Sequence, residues 1–95
     1  MIITQQDNKI ICTLSGHFDT VKSEELTSAL RLWLNVPNPI VFDMTGVTYI
    51  CSAFLRTCVQ TAKGVGAENF ILRNPTPQIK RVFQTAGFAQ LFTFE

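Results

Sequence analysis

The stretch IVFDMTGVTYICSAFLRT, residues 40–57, decides how this chain folds. Ile40-Val41-Phe42 is continuous and apolar, the mark of a strand covered on both faces. Asp43 ends that run, where a buried strand reaches solvent. A helical pattern starts at Ser52, with Leu55, Cys58, Val59 and Ala62 on one stripe. Strands joined through helices need parallel pairing and right-handed crossovers.

The flanking sequence repeats this logic. On the N-terminal side, Ile2–Gln5 and Lys9–Leu14 read as two strands around an Asp7-Asn8 turn, a hairpin that Gly16 ends. Asp19 or Thr20 caps a first helix, with Glu24 and Glu25 in its early turns, where the dipole favours negative charge. Leu26, Leu30, Trp33 and Leu34 form its stripe, and Pro37 and Pro39 stop it. On the C-terminal side, Gly64 and Gly66 end the second helix, and Phe70-Ile71-Leu72 is another buried strand. Thr76 caps a third helix with Pro77 at its first position. Ile79, Val82, Phe83 and Ala86 make its stripe, and Gly87 its stop. Phe92-Thr93-Phe94 closes the chain as a weak edge strand. The order β-β-α-β-α-β-α-(β) predicts an α/β fold. Its sheet is small and mostly parallel, with an N-terminal antiparallel hairpin, and three or four helices cover it.

Ninety-five residues make one domain, 1–95, with 46% hydrophobic residues and eight Phe to fill its core. A formal net charge of +1 implies neither a nucleic-acid partner nor a membrane surface. The adjacent Lys80-Arg81 pair reads as a solvated helix face. Cys12, Cys51 and Cys58 are odd in number and lack a C-x-x-C, so reduced thiols in a cytoplasmic protein are expected. The start, MIITQQDNK, lacks a signal-peptide pattern, and no apolar run reaches the ~18 residues of a membrane span. One His and three scattered Cys offer no metal-ligand spacing, and G-V-G at 64–66 follows a helix instead of opening one. No cofactor is expected.

The chemistry gathers where the second helix begins. Ser52 reads as an N-cap or as a phosphorylation site, since a phosphate there meets free N–H groups and the positive end of the helix dipole. The two readings are compatible. Cys51 shares the address, and a helix N-terminus lowers a thiol's pKa. A nucleophile also needs a base, and His17, in the loop after the second strand, is the sole histidine. A small buried thiol at a strand end is the plainer reading. Phe54 lies off the stripe, on a strip with Thr57 and Thr61: a core residue, or an exposed interface anchor. Arg56, four residues after Ser52, reads as a solvated arginine or as a partner for a phosphate on Ser52. Asp43 has no clustered second carboxylate for acid–base work, and Asp19 reads as a cap or loop residue.

Three segments carry a family resemblance. GHFDT (16–20) is similar to a Gly-x-Leu-Asp segment before a first helix. IVFDMTGVTYICSAFLRT is similar to a central strand followed by an Asp-Ser-Ser-Gly-Leu signature, and GAENFILRNPTPQIKRVFQTAGFAQLFTF (66–94) to a closing strand, helix and Thr-Gly-Leu turn. In that order the chain resembles a stand-alone STAS domain of the bacterial anti-sigma factor antagonist type, with the STAS (SpoIIAA-like) fold.

The resemblance implies a non-enzymatic transcription regulator. Unphosphorylated, such a protein binds an anti-sigma factor, itself a serine kinase of histidine-kinase-like ATPase fold; the kinase phosphorylates the signature serine, and a PP2C-type phosphatase resets it. Ser52 falls on the phosphorylated serine, Cys51 on the Asp, Ala53 on the second Ser and Phe54 on the Gly. Asp19 and Asp43 fall on two family acidic positions. The expected partner-binding set is therefore Asp19, Asp43, Cys51, Ser52, Ala53, Phe54 and Arg56, with no direct nucleic-acid or membrane contact. Three of the four signature positions depart from the pattern, which suits an alternative: a constitutive interaction subunit of a larger complex, such as a lipid-transport assembly, without switching. A Cys51 thiol enzyme is the third class.

Overall fold

The computed structural model of the chain describes residues 1–35 and 37–95. Its elements are β1 (Ile2–Gln6), β2 (Lys9–Phe18), α1 (Thr20–Leu30), β3 (Ile40–Ile50), α2 (Ser52–Val65), β4 (Phe70–Arg73), α3 (Pro77–Thr85) and β5 (Thr93–Phe94). Short 3-10 turns lie at Ala67–Asn69 and Ala89–Leu91. Asp7 and Asn8 both take positive φ, 51° and 62°, the two-residue turn that joins antiparallel β1 and β2. The sheet order is β1-β2-β3-β4-β5, and from β2 onward every pairing is parallel.

Each crossover steps to the next strand on the same side, so right-handed connections place all three helices on one face. The core agrees. Ile10, Cys12, Leu14, Phe42, Met44 and Leu72 point to that face and join Leu26, Phe54, Cys58, Ile79 and Phe83 of the helices in one cluster. The alternate residues Ile11, Val41 and Ile71 form a row across the opposite face, where Val41 is fully buried between its register partners. Seven of the eight Phe rings form a chain across the core: Phe18–Phe54–Phe42–Phe70–Phe92–Phe83–Phe94. Five of its six contacts are edge-to-face, all but Phe42–Phe54; four of the five lie within 5.5 Å and the fifth, Phe83–Phe94, at 6.1 Å.

Several boundaries differ from the sequence reading. Gly16 does not end the hairpin. At φ 80° it lets β2 slip register against β3, and the strand continues through His17 to Phe18, so His17 is a strand residue. Gly46 sits opposite the same irregularity, where a Cβ would meet Ser15 Cβ at 3.1 Å. Asp43 does not end β3, because its side chain lies on the helix-free face and leaves the core pattern intact. Past the slip, the buried residues Met44, Val47 and Ile50 recur every third position instead of every second. Helix α1 stops at Leu30, well before Pro37: the N–H groups of Trp33 and Leu34 both donate to the Leu30 carbonyl, at 2.8 and 3.1 Å. Helix α2 runs through Gly64 and ends at Gly66, φ 94°. At α3 the expected cap is in place, with Thr76 Oγ1 accepting the Ile79 N–H at 3.2 Å and Gly87 at φ 80° beyond the end. Its stripe narrows to Ile79 and Phe83, while Val82 and Ala86 face solvent.

Helices α1 and α2 meet through hydroxyls. Thr27 Oγ1 and Thr57 Oγ1 lie 2.8 Å apart across the seam. Each hydroxyl also reaches a carbonyl one turn back, Thr27 to Ser23 at 3.0 Å and Thr57 to Ala53 at 3.1 Å. Thr61 donates likewise to the Thr57 carbonyl at 2.8 Å. These contacts let Thr57 and Thr61 sit buried without an unpaired polar group.

Candidate functional site

The carboxyl ends of β2 and β3 deliver two helix N-termini side by side. Asp19 caps α1, its carboxylate accepting the Lys22 N–H at 2.9 Å. Ser23 Oγ donates to the Asp19 carbonyl at 2.7 Å and lies 3.9 Å from Cys51 Sγ at the start of α2. The two junctions are thus linked through one buried serine.

The cap of α2 is Cys51, which corrects the reading of Ser52 as N-cap. Cys51 has extended backbone, φ −117° and ψ 176°, and its carbonyl accepts the N–H groups of Phe54 and Leu55 at 3.0 and 3.2 Å. Ser52 is the first helical residue and is exposed. Its amide and that of Ala53 belong to the first turn, which has no intrahelical acceptor. Cys51 is half-buried. Burial pushes its thiol pKa up, but the amides of Phe54 and Ala53 and the hydroxyls of Ser23 and Thr20 outweigh this, so the pKa is lowered. Burial alone acts on the other thiols: Cys12 is pushed up to about 12, and Cys58 is raised well above its ordinary value.

Phe54 is a core residue and not an exposed anchor. It is fully buried, 5.2 Å from Phe18 and 6.1 Å from Phe42 between ring centroids. The buried face of α2 is turned from the expected stripe toward Phe54, Thr57, Cys58, Thr61 and Ala62, leaving Leu55 and Val59 half-buried. Arg56 is exposed one turn after Ser52, and Ala53 is half-buried beside it. The surface therefore unites Asp19, Cys51, Ser52, Ala53 and Arg56. Asp43 is not brought there. It sits on the helix-free face in register with Thr13 and Arg73, and its carboxylate accepts Thr45 N–H and Oγ1–H at 3.1 and 2.7 Å. Seven residues of strand, roughly 20 Å, separate it from Ile50.

Two features of this end went unread in the sequence. His17 and Tyr49 stack with ring centroids 4.1 Å apart and planes 11° from parallel, and Tyr49 is 46% exposed. They are register partners on β2 and β3, a match visible only once the bulge is counted. The other feature is a polar groove between α1 and α2, bordered by Ser23, Thr27, Arg31, Arg56 and Thr57. Thr27 and Arg31, the helical C-cap of α1, are four residues apart, a spacing that signals a shared face. Among the described residues no group of three or more His, Cys, Asp or Glu is arranged to hold a metal, and no helix is long and apolar enough to cross a membrane.

The architecture matches solved structures along nearly its whole length. A Thermotoga maritima protein assigned as an anti-sigma factor antagonist superposes with TM-score 0.85 at 16% identity, over 98% of this chain and 83% of that one. The anti-sigma factor antagonist SpoIIAA in its unphosphorylated form gives TM-score 0.74 at 16% identity, over 100% and 84%. The Bacillus cell fate determinant SpoIIAA in its phosphorylated form gives 0.72 at 17%, over 100% and 87%. At these identities the likeness is one of fold: antiparallel β1-β2, a parallel remainder and three helices. The STAS domain model matches residues 1–95, and the chain belongs to the STAS domain family.

Proposed function

We propose that this chain is an anti-sigma factor antagonist that switches partners by phosphorylation of Ser52. Unphosphorylated, it docks an anti-sigma factor serine kinase through Asp19, Cys51, Ala53 and Arg56 around Ser52; the kinase phosphorylates Ser52 and the pair separates; a PP2C-type phosphatase restores the hydroxyl. The protein is a non-enzymatic, cytoplasmic regulator of transcription in this reading. The observation that carries it is an exposed serine hydroxyl at the first position of α2. A phosphate there adds a charge of roughly −1.5 to −2, which the first-turn amides and Arg56 accept and a docked partner does not. The likeness to SpoIIAA in both unphosphorylated and phosphorylated forms supports the same reading. Incubation with the cognate kinase and ATP, followed by mass spectrometry, should place one phosphate on Ser52; an unmodified Ser52 would reject the switch.

A second reading, a fixed subunit of a larger assembly, is favoured by Cys51 and Ala53 at positions where the signature carries Asp and Ser. Pull-down from native cells separates the two: a histidine-kinase-like ATPase supports switching, a transporter ATPase the fixed subunit.

A further inference from the structure

We propose that the groove between α1 and α2 binds a small organic phosphate, held by Arg31 and Arg56. The groove, open to solvent, offers about 360 Å³, the scale of small-ligand sites. It exists because the seam beneath it is built from Thr27 and Thr57 instead of long apolar chains. Short side chains leave space above the contact, and that space is lined with polar groups.

The walls follow helical spacing. Helix α1 and its C-cap present Glu24, Ser28 and Arg31, at i, i+4 and i+7; α2 presents Ala53, Arg56 and Gln60, at i, i+3 and i+7. One guanidinium therefore stands on each wall. The ion pair found among the described residues is Arg73–Glu95, so neither Arg31 nor Arg56 has a carboxylate within pairing distance there. Two guanidinium forks facing one space match the oxygens of a phosphate, which accepts paired N–H donors. The Ser28 hydroxyl and Gln60 amide are exposed on the same walls and suit the hydroxyls of a sugar or polyol. Glu24 accepts from such hydroxyls and repels a second phosphate. An apolar ligand would strand these groups without partners. Arg56 would be shared with a phosphate on Ser52, so the titration uses the unphosphorylated chain.

The test is an amide NMR titration of the whole chain with ribose 5-phosphate, inorganic phosphate and ribose. Ribose 5-phosphate should give saturable shifts at Ser23, Ser28, Thr57 and Gln60, inorganic phosphate should bind more weakly at the same amides, and ribose should shift nothing. Arg31→Gln with Arg56→Gln should weaken ribose 5-phosphate at least about tenfold, since two charge-assisted contacts are lost. Both arginines are exposed, so the thermal midpoint should stay in place and certify the fold. Shifts that never saturate, or that survive the double substitution, would overturn the site. Equal binding of ribose 5-phosphate and inorganic phosphate would overturn the organic ligand.

Discussion

Helix α2 is held on two sides by opposite means. Toward the sheet it plants Phe54 in a chain of aromatic rings, contacts that are apolar and deeply buried. Toward α1 it offers Thr57, a hydroxyl shared with Thr27 above a polar groove. The aromatic side supplies stability in bulk through burial. The hydroxyl side supplies little net energy but fixes the spacing of two helices and keeps their N-termini together. The second side can stay polar because the first side anchors the helix.

The sharpest way to break this contrast is on the aromatic side. Phe54→Ala should destabilise the chain by about 3–5 kcal/mol, read as a lower urea midpoint, because it opens a cavity between Phe18 and Phe42. A loss under about 1 kcal/mol would mean that the ring does not anchor α2. Ser52→Asp comes next: if the proposed switch holds, affinity for the proposed partner kinase should fall at least about tenfold, equivalent to about 1.4 kcal/mol, while a negative charge in the first turn leaves stability equal or slightly higher. On the hydroxyl side, Thr57→Val should lose about 1 kcal/mol, since it removes the bond to Thr27 but keeps the volume. A change as large as that of Phe54→Ala would erase the distinction between the two sides. Asp19→Ala should lose about 1 kcal/mol or less through the α1 cap. The smallest effect is kinetic. With its pKa lowered, Cys51 becomes thiolate at lower pH than an ordinary cysteine, so its alkylation should rise earlier as pH increases. Cys12 and Cys58, raised by burial, should react only on unfolding.

How much could be read in advance follows the same division. The α3 boundaries were legible because Thr76, Pro77 and Gly87 act locally, each through its own backbone geometry. The start of α2 at Ser52 was legible too, since a strand pattern and a helix pattern abut there. Its buried face was not. Thr57 and Thr61 count as polar in any stripe, yet their hydroxyls are satisfied within the helix and across the seam, so the face turns toward Phe54. The lengths of β2 and β3 were hidden by their mutual slip, which changes the spacing of buried residues and strands Asp43 far from the site. The pairing of His17 with Tyr49 and the facing of Arg31 and Arg56 depend on contacts between elements distant in the chain, which no local pattern encodes.

The linked rings have one more consequence. Phe54, two positions beyond the Ser52 hydroxyl, interlocks with a row that ends at β5, so α2 has no ready alternative seat. Under the proposed switch, a phosphate on Ser52 would therefore act as an altered electric field on a surface already held in place, to be read without any rearrangement of its host.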